Sequence, residues 1–295
     1  MAASGILLAH DFSERSEQAA QRAFQMAQES GEPVHAVHVV DEAFAERKWL
    51  GDAAGEPGES VIERLRGSVE ERLRAELEPL AGPYGITLHV HAALGYVAEQ
   101  LAALSERYAC RLLVIGARGR HAIRDLLLGA TAEQLLWYME APTLVVRSDN
   151  VSAYEHVLVA VDFSEASEHA MKTVAEWFPK AQVRLVHVID SRALERLGDA
   201  GLQDDVIQEE WDQQDSIVSD YLEAMMERSG LTGDRVEARI VHGHPVEALG
   251  EQVTEFGADI AVMGGQGRSR LTQWLPGRVS SRLVHQLPCD VLLAR

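Results

Sequence analysis

The chain repeats itself at a spacing that leaves little freedom for its fold. LLVIGARGRHAIRDLLLGA (112–130) returns 148 residues later as IAVMGGQGRSRLTQWLPGR (260–278). Each copy is an apolar run, then Gly-x-x-Gly, then nine residues and a third Gly. These are Gly116, Gly119 and Gly129 in the first copy, and Gly264, Gly267 and Gly277 in the second. An apolar run that stops at glycine reads as a buried strand leaving into a loop. A glycine loop running from a strand to a helix start can hold a phosphate on backbone N–H groups and the positive end of the helix dipole. Two such loops in 295 residues imply two units of about 150 residues each.

The halves match beyond the loop. ILLAHDFSERSEQA (6–19) pairs with VLVAVDFSEASEHA (157–170), VHAVHVVDE (34–42) with VRLVHVIDS (183–191), and Gly95 with Gly243. Within each half, short Val/Ile/Leu-rich runs alternate with stretches of helical period. The runs predict strands at 5–9, 33–40, 86–92, 111–116 and 142–147, then at 156–161, 182–188, 235–241, 258–263 and 290–294. Helices are expected near 14–30, 59–80, 96–108 and 129–140. This alternation implies an α/β protein with two tandem five-stranded parallel sheets of Rossmann-like character, covered on both faces. The expected division is 1–148, a polar linker at 149–154, and 155–295. GDAAGEPGES (51–60) reads as a mobile loop before an acidic helix.

Composition removes several function classes. Net charge is −19, which argues against nonspecific binding to DNA, RNA or an anionic membrane, since all need a basic face. No apolar run approaches the ~18 residues of a membrane span, and no signal peptide is evident, so a soluble cytoplasmic protein is expected. Cys110 and Cys289 occupy non-equivalent places and read as buried reduced thiols.

Against this acidic background, Arg118, Arg120, His121 and Arg124 gather on the first loop, and Arg268 and Arg270 on the second. They read either as phosphate-holding groups or as ordinary solvated loop arginines. Asp11 and Asp162 follow the first strand of each unit, at the edge that lines the ligand crevice of an open parallel sheet. A carboxylate there can accept hydrogen bonds from ribose or an adenine amine. It can equally serve a helix start, with Ser13 or Ser164 as the cap. His38 and His187 alternate with apolar residues and read as structural. His89/His91 and His242/His244 each place two rings on one face of a strand, but no acidic or cysteine partner recurs to suggest a metal site. No nucleophile–base pair, Walker A loop or Gly-x-Ser-x-Gly elbow is present.

The Asp-Phe-Ser starts, the His-Val-[Val/Ile]-Asp second strands, the doubled glycine loops and the closing runs EAPTLVVR (140–147) and CDVLLAR (289–295) resemble a tandem universal stress protein over nearly the whole chain. The resemblance implies two adenine nucleotide α-hydrolase-like domains packed as a pseudo-twofold dimer within one chain, which could also form a homodimer. It implies ATP or another adenine nucleotide, with or without Mg, held by Asp11 and Asp162, by Val39 and Val188 near the base, and by the six loop glycines. One departure stands out. The family's ATP-binding pattern has Ser or Thr directly after the third Gly and often another hydroxyl two residues on. The first copy reads Gly129-Ala130-Thr131-Ala132, and the second Gly277-Arg278-Val279-Ser280. Thr131 with Gln134 offers a shifted capping box, and Arg278 could grip phosphate or fill the site. The first site is therefore favoured. The expected function is a nucleotide-binding stress sensor acting on an unidentified protein partner rather than a fast enzyme. The alternative is an interaction scaffold that binds no nucleotide.

Overall fold

The computed structural model describes residues 5–40, 59–117, 129–190, 204–265 and 278–295. The chain divides into two compact units between Ala153 and Tyr154. The first contains β1 (Gly5–Ala9), α1 (Glu14–Ser30), β2 (Val34–Val40), α2 (Glu59–Ala81), β3 (Leu88–Leu94), α3 (Val97–Arg107), β4 (Cys110–Gly116), α4 (Ala130–Tyr138) and β5 (Thr143–Val146). The second contains β6 (His156–Ala160), α5 (Glu165–Trp177), β7 (Gln182–Ile189), α6 (Asp204–Ser229), β8 (Val236–His242), α7 (Pro245–Phe256), β9 (Ile260–Gly264), α8 (Arg278–Gln286) and β10 (Asp290–Ala294). Most of 51–60 lies outside the described residues.

Within the first unit the strand order is β3-β2-β1-β4-β5, and within the second β10-β9-β6-β7-β8. The pairings described inside each unit are parallel. The apolar runs predicted this, because a strand covered on both faces has no polar side. Ile6, Leu7, Leu8, Leu112, Leu113 and Val114 are all fully buried. In the first unit α1 contacts α2, and α3 contacts α4, as expected for helices paired over a sheet. No described helix is long and apolar enough to cross a membrane. Both cysteines are buried and unbridged. Burial, and then Glu32, pushes the Cys110 thiol up to about 12, so it is unreactive.

The third strand starts two residues later than the sequence suggests. A 3₁₀ turn at Gly82–Tyr84 and left-handed Gly85 (φ 63°) occupy the connection, so pairing begins with Leu88 opposite Val34. The order also fixes the crevice. From β1 the chain winds outward through β2 and β3, then returns to place β4 on the other side of β1. That reversal is a topological switch point, where open α/β sheets bind ligands beyond the strand C-termini. Its counterpart in the second unit lies between β6 and β9.

The polar stretch expected to be a linker is held by α1. Arg15 donates to the Arg147 carbonyl at 2.9 Å and to Asp149 at 2.7 Å. Arg22, only 2% exposed, donates to the carbonyls of Asn150 and Ser152. A buried guanidinium satisfied by carbonyls costs several kcal/mol when its acceptors are left without donors. Arg22→Met is expected to destabilise the first unit by about 2–4 kcal/mol and to speed protease cleavage at 149–153. Denaturant melts and limited proteolysis check this.

Candidate functional site

At each switch point the same turn appears. The register of β1 (Ala9 opposite Val37, Leu8 opposite Val114) brings Asp11 level with Val39 and His10 level with Gly116. Asp11 Oδ1 accepts from the Ser13 amide at 3.1 Å and from the Ser13 hydroxyl. Ser13 caps α1 and forms a reciprocal box with Ser16. In the second unit, Asp162 Oδ1 accepts from the Ser164 amide at 3.1 Å and from the hydroxyls of Ser164 and Ser167, and Ser164 caps α5. The helix-start reading of the aspartate is thus present in both units: Ser is the cap, and Asp orients it.

The residue between Asp and Ser is the feature that sequence reasoning missed. Phe12 (φ 61°) and Phe163 (φ 59°) both adopt the left-handed conformation, which is costly for a bulky side chain and tends to persist at functional sites. Each ring lies against a histidine of the second strand, Phe12 on His38 at 4.5 Å and Phe163 on His187 at 4.4 Å. Nδ1 of His38 meets the His10 carbonyl at 2.7 Å, and Nδ1 of His187 meets the Val161 carbonyl at 2.7 Å. A carbonyl only accepts, so each imidazole donates from Nδ1. The doubled Asp-Phe-Ser and His-Val motifs were legible; their contact across the strand ends was not. The Arg72 guanidinium covers the Phe12 ring at 3.8 Å.

The first loop glycines have a reason inside the chain. A Cβ on Gly116 would lie 2.8 Å from the Arg15 carbonyl oxygen, and one on Gly264 would lie 2.7 Å from Ala166 Cβ and 2.8 Å from its carbonyl carbon. Arg15 and Ala166 are the second residues of α1 and α5, so the glycines let a helix start press onto a strand end. This gives them a packing role independent of any ligand. Gly129 is the N-cap of α4, and its amide donates to the Ala117 carbonyl at 3.0 Å. Among the described residues, no side chain caps this helix. The shifted capping box is therefore wrong: α4 begins at Ala130, which puts Thr131 inside the first turn. Arg278 begins α8. The Ser280 hydroxyl donates to the Gly264 carbonyl at 3.1 Å. Val39 and Val188 are half-buried near the ends of β2 and β7. Arg118, Gly119, Arg120, His121, Arg124, Gly267, Arg268, Arg270 and Gly277 lie outside the described residues.

His10 adds a titratable group to the first site. It is 4% exposed, and burial pushes its imidazole down to about 4 against the opposing pull of Glu76 and Asp11. Its Nδ1 accepts from the Phe12 amide at 3.3 Å. Among the described residues, no group of three His, Cys, Asp or Glu side chains could hold a metal ion.

Two parallel α/β units, each with an aspartate-oriented cap and a close-packed glycine at its strand reversal, define a duplicated crevice protein. The chain belongs to the universal stress protein family: the family's sequence model matches residues 4–147 and again 153–295. A universal stress protein of Mycolicibacterium smegmatis is 27% identical over 299 residues, covering 99% of this chain and 97% of its own length. One from Methanocaldococcus jannaschii, 29% identical over 154 residues, spans 48% of this chain and 95% of itself. The crystal structure of a universal stress protein from Archaeoglobus fulgidus covers 100% of this chain and 99% of its own, with a TM-score of 0.71 at 20% identity, and shares the fold.

Proposed function

We propose that each unit holds an adenine nucleotide in the crevice at its strand reversal, and that the protein works as a nucleotide-dependent sensor rather than a fast enzyme. A contrast within the first unit carries the reading. The N-terminus of α1 is already served by the Ser13–Ser16 box, whereas α4 starts after Gly129, beside Ala117, with no capping side chain among the described residues. Open N–H groups at the positive end of a helix dipole favour an anion. In this reading the phosphates lie on the backbone amides of Ala130 and Thr131 beside Gly129, whose own amide already donates to the Ala117 carbonyl, with Gly119, Arg118 and Arg120 supplied by the preceding segment. Asp11 faces the ribose hydroxyls, and Val39 lies along the base. A divalent ion would enter with the nucleotide's own phosphates.

The second site uses Asp162, Val188, Gly264, Gly267, Arg268, Gly277 and Arg278. Its Ser280 hydroxyl must leave the Gly264 carbonyl before it can reach a phosphate. Exchanging one neutral hydrogen bond for another gains little, so the first site should fill first. Losing a hydroxyl at Ala130 costs about 1 kcal/mol, or roughly fivefold in affinity, which leaves binding intact. Occupancy would order the loops and change the surface offered to a protein partner.

Calorimetric and thermal-shift titration with ATP, ADP and AMP tests this. Saturable heat below millimolar concentration, with a rise in Tm, is expected. No heat and no shift at millimolar nucleotide would refute it in favour of the scaffold. In that case Gly119→Asp and Gly267→Asp chains would keep partner binding.

A further inference from the structure

The N-terminal edge of each sheet, opposite the crevice, shows that the two copies have diverged. In the first unit His35 is 7% exposed, and its Nδ1 lies 3.1 Å from His91 Nε2. His89, its register partner on β3, stacks on it at 4.9 Å. The Tyr108 ring stacks on His35 at 4.4 Å and on His91 at 4.7 Å. With both imidazoles neutral, one nitrogen of the His35–His91 contact donates and the other accepts. A second proton puts two cationic N–H groups against each other in a buried place. Parallel stacking of these rings also keeps their lone pairs from converging on a metal.

Strand register assigns Arg184, Glu237 and Arg239 to the positions of His35, His89 and His91, and Phe256 to that of Tyr108. There the Arg184 guanidinium donates to Glu237, reaches Glu255 at 3.3 Å and lies 4.4 Å over the Phe256 ring. Arginine stays charged across the whole physiological range, so Arg184, unlike His35, has no proton to gain. A second difference lies at the crevice. His10 accepts the Phe12 amide, whereas the corresponding residue of the second unit is Val161. Protonating His10 Nδ1 would set a donor against a donor in the turn that carries Asp11.

We propose that the first unit is the acid-labile half of the protein: protonation of the His35–His91 pair and of His10 loosens its β1–β2–β3 side, while the second unit, with Arg184 and Val161 in those places, holds. The groups facing His35 are His89 and His91 from β3, with Tyr108 at the end of α3; Glu70 of α2 and Arg107 act on His91. Those facing His10 are Asp11, His38 of β2, and Glu76 and Arg72 of α2. Burial, then His91 and His89, holds His35 down to about 4, and burial holds His91 below its ordinary value. The unfolded chain protonates His35 and His10 near 6.5 and the folded chain only near 4, so their contribution to stability is complete above pH 6.5 and falls as pH drops toward 4. One such ring raises the opening constant roughly 20-fold at pH 5 relative to pH 7.

The device needs no nucleotide, so its test is separate from the crevice reading. Hydrogen exchange of the full chain at pH 7 and pH 5, corrected for intrinsic rates, compares β2 and β3 with β7 and β8. The expected result is an opening constant that rises at least about tenfold more in the first pair. His10→Val and His35→Gln should each reduce that rise, and together remove most of it. Should the double variant not fold, the histidine rings of the unsubstituted chain can be titrated by NMR, with His10 and His35 expected to titrate at least about one pH unit below 6.5. An equal acid response in the two units, a double variant that keeps the full rise, or rings titrating near 6.5 would overturn the proposal.

Discussion

Gly264→Ala is expected to destabilise the second unit by about 2–3 kcal/mol, although it adds one methyl group. The new Cβ would lie 2.8 Å from the carbonyl carbon of Ala166, which is backbone and cannot rotate away. Either α5 lifts from the strand end or β9 bends, and both loosen an inner strand, paired with β10 and β6, whose residues are buried. Gly116→Ala should act likewise on the first unit through the Arg15 carbonyl. Gly250→Ala separates this effect from any general intolerance of the fold. Gly250 lies inside α7 with open space around its Cβ position, so alanine there should stabilise by about 0.5–1 kcal/mol. Urea melts of the three variants decide between close packing and simple glycine chemistry. Comparable losses at Gly250 and Gly264 would rule the packing explanation out.

Asp162→Ala is expected to cost about 2–3 kcal/mol, because it strips one carboxylate oxygen from the Ser164 amide, the Ser164 hydroxyl and the Ser167 hydroxyl together. Asn keeps an acceptor oxygen in the same place and should cost less than about 1 kcal/mol. The two substitutions separate two roles. If the carboxylate only orients the cap, the Asn chain binds nucleotide as well as the parent. If its charge also meets the ribose hydroxyls, as proposed, the Asn chain folds normally and loses roughly tenfold in affinity at that site. Melts and titrations on the same preparations give both numbers.

Much of the architecture could be read without coordinates, because it rests on local signals. Apolar runs buried on both faces, Ser caps ahead of α1 and α5, and a strict repeat are visible one residue at a time. The start of β3 was not, since the left-handed Gly85 and the turn before it trade two residues of strand for connection. The crevice was legible as a place but not as a geometry. Asp11 and Asp162 could be ligand groups or cap supports, and only the strand-to-helix turn shows one oxygen serving the cap. The left-handed Phe12 and Phe163 carry no sequence mark of their own. Gly116 and Gly264 were legible as loop glycines, but their packing role shows only in the approach of Arg15 and Ala166. The stack of His35, His91 and Tyr108 depends on a register that pairs residues more than fifty positions apart, which no local pattern encodes.

The central claim, two nucleotide crevices in one chain, is tested most directly by native mass spectrometry of the full protein during an ATP titration. The expected spectrum shows one bound nucleotide and then a second as concentration rises toward millimolar. Asp11→Asn should suppress the earlier addition and Asp162→Asn the later one. No addition at millimolar ATP, or additions that both variants leave untouched, would contradict it.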